Sequence, residues 1–145
     1  PGMMDTVLNI GLNDESMATL ANKTGNERFA YDSYRRFVQM FGNVVLGMEH
    51  SKFERILEAK KESRNAEHDT DLNADDLKDL VSKYKELIRT DTGREFPLDP
   101  REQLKMTIDA VFGSWNTDRA ITYRNMTWRG PARKPGLRKA VSWCS

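Results

Sequence analysis

The chain has 145 residues, 38% hydrophobic and 31% charged, with a formal net charge of +1, which suits one globular domain of ordinary size and excludes disorder throughout. No run approaches the roughly 20 apolar residues that span a bilayer, and Pro1–Asp5 has neither a basic leader nor an apolar signal core, so an intracellular protein is expected. Cys144 is the single cysteine, so no internal disulfide forms and packing must hold the fold.

In chain order, Thr6–Leu12 mixes β-branched residues with glycine and reads as a loop leading from an upstream element, with the true beginning missing. From Asn13 onward one grammar repeats: a capping residue, a helical apolar stripe, then a breaker, which is an all-α signature. Asn13 caps a short helix that Gly25 closes. Phe29, Tyr34, Phe37, Val38, Phe41, Val44, Val45 and Met48 recur at three- and four-residue steps, predicting a central core helix of about five turns. Ser51-Lys52-Phe53-Glu54 reads as a capping box opening a helix through Phe53, Ile56 and Leu57, which gives way to a polar run near Ser63–Thr70. Asn73 caps the next helix, with Asp75 and Asp76 at the positive end of its dipole, Leu77, Leu80, Val81, Tyr84, Leu87 and Ile88 along it, and Gly93 at its end. Asp99 and Pro100 form the cap and first position of another, with Leu104, Ile108, Phe112 and Trp115 as its expected buried stripe. Thr117 or Asp118 opens a last helix.

The chemistry available is narrow. His50 and His68 read as solvated loop residues without ligand partners at metal spacing, and no nucleophile has a recognisable base. Asp69, Asp71, Asp75, Asp76 and Asp79 invite a calcium loop but offer Ala74 and Leu80 where a glycine and a bidentate glutamate are required, so capping and solubility explain them better. The aromatic residues Phe29, Tyr34, Phe37, Phe41, Phe112 and Trp115 are expected in the core. Pro1-Gly2-Met3-Met4-Asp5-Thr6 remains: glycine permits close approach to an anion, and loop amides with the Thr6 hydroxyl suit phosphate oxygens. An ordinary entry loop is the competing reading.

Residues 127–145 carry Arg129, Arg133, Lys134, Arg138 and Lys139 and no acid, leaving 18 basic against 22 acidic residues upstream. The body is mildly acidic, so neither a nucleic-acid-binding surface nor a membrane surface is expected. Attraction of this tail to RNA or anionic lipid is a minor reading, since it has no amphipathic pattern.

Several segments together resemble the pyruvate phosphate dikinase family. Pro1 to Asn13 is similar to the stretch after the family's first ATP-binding residues. Arg28-Phe29-Ala30-Tyr31-Asp32-Ser33-Tyr34-Arg35-Arg36-Phe37 looks like its second signature, and Asp69-Thr70-Asp71-Leu72 with Asp75-Asp76-Leu77-Lys78 like its third. Phe112-Gly113-Ser114-Trp115 with Arg119-Ala120 and Tyr123-Arg124 is similar to a fourth. They follow in family order over residues 1 to about 126. The phosphoenolpyruvate synthases, with a comparable ATP domain, differ at the first motif.

The resemblance implies a mainly α fold: a helical-bundle subdomain (13–115) inserted in an ATP-grasp-like nucleotide-binding domain. Residues 1–12 would be a remnant of its phosphate loop and 116–126 the start of the return to its core. Residues 127–145 depart from the family and are expected to be a disordered basic tail, read first as a frameshift or mis-called gene end. The implied parent reaction phosphorylates a histidine from ATP, passes the γ-phosphate to inorganic phosphate and the histidine's group to pyruvate, giving AMP, diphosphate and phosphoenolpyruvate. ATP and Mg2+ are its cofactors, ATP, phosphate and pyruvate its partners, a homo-oligomer its assembly, and the cytoplasm or an organelle its place. Only Gly2, Met3, Met4, Asp5 and Thr6 carry over to ATP binding here. The family's binding lysine and arginine, its magnesium-binding acids, its phosphohistidine domain and its pyruvate barrel match nothing in this sequence. The chain alone is therefore expected to be inactive, with a non-catalytic helical interaction module as the alternative.

Overall fold

The computed structural model describes residues 3–127. Among them the regular structure is entirely helical: α1 (Asp14–Thr24), α2 (Glu27–Met40), α3 (His50–Arg64), α4 (Ala74–Thr92), α5 (Pro100–Gly113) and α6 (Asp118–Thr127). The mainly α expectation therefore holds.

The ends of the helices follow from capping chemistry. The Asn13 side chain accepts the Ser16 amide at 2.8 Å while the Ser16 hydroxyl accepts the Asn13 amide at 2.8 Å, so two of the orphan donors at the start of α1 are satisfied reciprocally. Asn26, Asn73 and Asp99 likewise cap α2, α4 and α5, with Pro100 in the first turn of α5. Gly25 and Gly93 end α1 and α4 at φ of 61° and 68°, left-handed positions a side chain would strain. The capping box expected at Ser51 does not form. Instead α3 begins at His50, after an extended Glu49 whose side chain makes no capping bond, which puts Ser51 within the helix. The Thr117 hydroxyl accepts the Ala120 amide at 3.4 Å, in the capping position before α6.

The centre of the fold is α2, packed chiefly against α4 and α1. Ala30, Tyr34, Phe37, Val38 and Phe41 are fully buried, as are Leu77, Leu80, Tyr84 and Ile88 facing them from α4. The core positions 30, 34, 37 and 41 repeat at the steps that line one side of a helix. Phe29 stands about 100° around from Ala30 on the helical wheel, and it is 50% exposed. The core helix also does not run regularly to Met48: it widens into a π-helical turn at Phe41–Val45, and Met48 returns to the core through a bend in which its amide donates to the Gly42 carbonyl at 3.0 Å.

Gly42 lets α3 approach α2, since the Phe53 ring occupies the space where a Cβ would stand. Gly42→Ala should therefore cost roughly 1–3 kcal/mol, the usual range for overpacking a core. Chemical denaturation should show a lower midpoint with an unchanged slope.

Candidate functional site

The loop that sequence motifs nominate is described from Met3 onward; Pro1 and Gly2, and with them the close approach expected of Gly2, lie outside the described residues. Met3, Met4 and Asp5 are half-buried and Thr6 is exposed. The loop is held by residues more than a hundred positions away. The Asp5 amide donates to Ser114 Oγ at 2.9 Å, and that hydroxyl donates onward to the Val111 carbonyl at 2.7 Å. From α6, Arg119 Nη2 donates to Asp5 Oδ1 at 2.8 Å and to the Met3 carbonyl at 3.3 Å. The Asp5 amide and carboxylate are thus both engaged within the protein, and among the described members of the nominated set Thr6 is the exposed one.

Downstream, the loop is tied to α5. Gln103 is fully buried: its Oε1 accepts the Gly11 amide at 2.9 Å, and its Nε2 donates to the carbonyls of Leu12 at 3.0 Å and Pro97 at 2.8 Å. Both Nε2 hydrogens and one Oε1 lone pair are used, so its burial is compensated. Sequence reading gave Gln103 no role, because a glutamine on a helix reads locally as a solvent-facing residue.

This arrangement reverses the expected orientation of α5. Gln103, Thr107 and Ser114 face inward, whereas the stripe expected to be buried is exposed: Leu104 by 48%, Ile108 by 45%, Phe112 by 70% and Trp115 by 46%. The two stripes lie about 100° apart on the helix, and the loop's backbone groups, which need hydrogen-bonding partners, claim the polar one. Tyr123 and Met126 of α6 are exposed as well. The Arg124 guanidinium lies 4.4 Å from the Trp115 ring centroid and donates to the Trp115 carbonyl, fixing the corner between α5 and α6.

No family model matches the chain. Its similarity to individual proteins is high: it is 57% identical over 126 residues to the chloroplastic pyruvate, phosphate dikinase of Mesembryanthemum crystallinum and 56% identical over 126 residues to the chloroplastic pyruvate, phosphate dikinase 1 of Arabidopsis thaliana, in both cases over 87% of this chain. It is 54% identical over 127 residues to the pyruvate, phosphate dikinase of Clostridium symbiosum, again over 87% of the chain. The chain matches a fragment of pyruvate, phosphate dikinase. It spans 13% of the length of the two plant dikinases and 14% of the bacterial one.

The acidic segment that resembles a third dikinase signature is occupied by ion pairs. Asp69 meets the buried Arg35 at 3.2 Å and Lys61 at 3.4 Å, and Arg35 also meets Asp32 at 2.9 Å. Arg28, from the second signature, donates to the carbonyls of Leu72 at 2.8 Å and Asp69 at 2.9 Å, so the two signatures are joined through side chains. Asp71 accepts the His68 amide at 2.8 Å. Asp76 receives Arg64 at 2.7 Å, and Lys60 lies between Asp76 and Asp79 at 3.6 and 2.6 Å. His50 is 61% exposed and pairs with Glu54 at 3.1 Å. Ion pairs and backbone hydrogen bonds within the protein account for Asp69, Asp71, Asp76 and Asp79, where capping and surface solubility are the expectation from sequence.

Burial alone would raise the Asp76 pKa, but the hydrogen bond and charge of Arg64, the Asn73 amide and Lys60 together hold it below its ordinary value of 3.8. Asp79 is lowered by its bonds to Lys60 and Lys83. A carboxylate whose folded pKa is depressed contributes stability above its unfolded pKa and loses it as pH falls through the folded one. Thermal stability should therefore decline below about pH 4. Asp76→Asn should cost about 1–3 kcal/mol at pH 6, and its deficit against the wild type should shrink at pH 3; a constant deficit across that range would refute the charge-based account.

Exposure makes a second expectation for α5. Phe112→Ser should change stability by no more than about 0.5 kcal/mol, as for other surface positions, whereas Phe37→Ser should cost several times more. Paired thermal melts of the two variants check this.

Proposed function

We propose that the chain is a segment of the N-terminal ATP-binding domain of a pyruvate, phosphate dikinase, and that it has no dikinase activity by itself. The observation that carries this reading is the 126-residue match, at 57% identity, to an enzyme of which it covers 13%. In this reading residues 1–12 belong to the nucleotide's phosphate loop, 13–115 form a helical subdomain inserted in an ATP-grasp-like domain, and 116–126 return to that domain's core. Residues 127–145 form a basic tail outside it. The parent converts ATP, pyruvate and phosphate to AMP, phosphoenolpyruvate and diphosphate, as a homo-oligomer in the cytoplasm or an organelle.

The described loop suits contact with a polyphosphate better than ligation of a metal. Asp5, its only carboxylate, is already paired with Arg119 at 2.8 Å, and the exposed Thr6 offers a hydroxyl and backbone amide of the kind that hold phosphate oxygens. Magnesium bound with ATP neutralises charge that spreads over the transferring phosphoryl group. The chain's own part is to present Met3 and Met4 beside the nucleotide and Thr6 to the phosphates, on a loop whose position is set before the ligand arrives. Neither His50 nor His68 is assigned the phosphoryl-carrying role.

The exposed apolar stripe of α5 favours a second reading, a non-catalytic helical interaction module, because contiguous exposed apolar side chains mark surfaces that meet another protein surface. Both readings leave the chain by itself without dikinase activity. Incubated with ATP, phosphate, pyruvate and Mg2+, the purified chain should release no diphosphate above the enzyme-free rate; sustained release with formation of phosphoenolpyruvate would overturn the assignment as an inactive segment.

A further inference from the structure

The sequence near the end of α5 and the start of α6 is distinctive, yet the proposed function gives it no task. We infer that Ser114 and Arg119 are positioning residues: together they form the mount that fixes the Met3–Thr6 loop in the conformation presented to a nucleotide's phosphates. This rests on the reading of that loop as a phosphate-contacting segment.

Three observations carry the assignment. First, Ser114 is a buried hydroxyl at 4% exposure, and its contacts form a relay: the Asp5 amide donates to it at 2.9 Å and it donates to the Val111 carbonyl at 2.7 Å. A buried hydroxyl used as both acceptor and donor has its orientation fixed, so it dictates where the loop amide sits. Second, Arg119 grips two points of the loop, the Asp5 carboxylate at 2.8 Å and the Met3 carbonyl at 3.3 Å. One planar guanidinium holding a side chain and a main-chain group two residues apart limits rotation of the peptide units between them. Third, the mount is itself braced: a 3-10 turn at Ser114–Asn116 joins α5 to α6, the Thr117 hydroxyl donates to the Ser114 carbonyl at 2.9 Å, and Arg124 stacks 4.4 Å from the Trp115 ring centroid.

The geometry also explains why the two residues are separated from the loop by the whole bundle in sequence. A loop of this kind has no internal ladder of hydrogen bonds, so its conformation must be imposed by partners on a rigid element. Displacing reacting or binding groups by about 1 Å is enough to lose much of their effect.

The test uses the complete 145-residue chain and nuclear magnetic resonance of its amides, with MgATP as the probe. In the wild type the Asp5 amide should exchange slowly with solvent, and MgATP should shift the Met3–Thr6 signals. Ser114→Ala and Arg119→Ala should each accelerate exchange at Asp5 and raise the MgATP midpoint about fivefold, the equivalent of one hydrogen bond, with α4 exchange still slow. Ser114→Thr, which keeps a hydroxyl, and Arg119→Lys, which keeps the charge, should recover part of the effect. Arg36→Ala, which removes an exposed ion pair on α2, should do neither. Unchanged Asp5 exchange in both alanine variants would overturn the positioning role. Slow wild-type exchange that both variants accelerate, with no MgATP shift at Met3–Thr6, would instead uphold the mount and sink the phosphate-loop reading.

Discussion

Phe96, a residue of the link between α4 and α5, meets the rings of Tyr34, Phe37 and Phe41 edge-on, with centroids 6.4, 5.8 and 5.3 Å away. The rest of the arrangement follows from this contact. Its aromatic ring adds both buried apolar area and the edge-to-face preference of the quadrupole, so the chain leaving α4 is drawn across α2 rather than out into solvent. Pro97 is buried beside it, and its carbonyl accepts a hydrogen bond from Gln103 Nε2 at 2.8 Å. Anchoring the link in this way determines where α5 starts, and hence which of its faces meets the loop between Asp5 and Leu12.

The bundle has two kinds of cement. Between α2 and α4 it is apolar packing, which is non-directional and tolerates small adjustments. Between α2, α3 and the start of α4 it is a set of charge-assisted bonds around Arg35, Asp69 and Asp76, which are directional and specify register. Arg35 is buried, and burial alone would lower its pKa; the Asp32 hydrogen bond and charge outweigh that and raise it, so the guanidinium stays ionised. Removing one partner from such a cluster strands a buried charge, which costs far more than an exposed pair does.

The loop and the exposed apolar face belong to the same construction. By turning Gln103 and Ser114 inward to meet backbone groups, α5 and the turn after it leave Leu104, Ile108, Phe112 and Trp115 outward. A helix that satisfies a loop with its polar side leaves its apolar side for some other surface. That is consistent with a segment that spans 13% of the plant dikinases it matches.

The sequence by itself determined the helices and about half of their ends, because caps, left-handed glycines and helical periodicity act within four or five residues of one another. Asn13, Asn73, Asp99, Gly25 and Gly93 were all legible for that reason, and so was the core face of α2 from Tyr34 to Phe41. Periodicity also located the amphipathic stripe of α5, but it could not say which way the stripe points, since that depends on whether the competing polar face has partners to satisfy. Only the tertiary structure supplied those partners: the Gly11 amide, the Leu12 and Pro97 carbonyls for Gln103, and the Asp5 amide for Ser114. The nominated loop could likewise be picked out by residue type, yet its support from Ser114 and Arg119 could not. Those contacts join residues more than a hundred positions apart, and a pairing at that distance exists only once the bundle between them has folded.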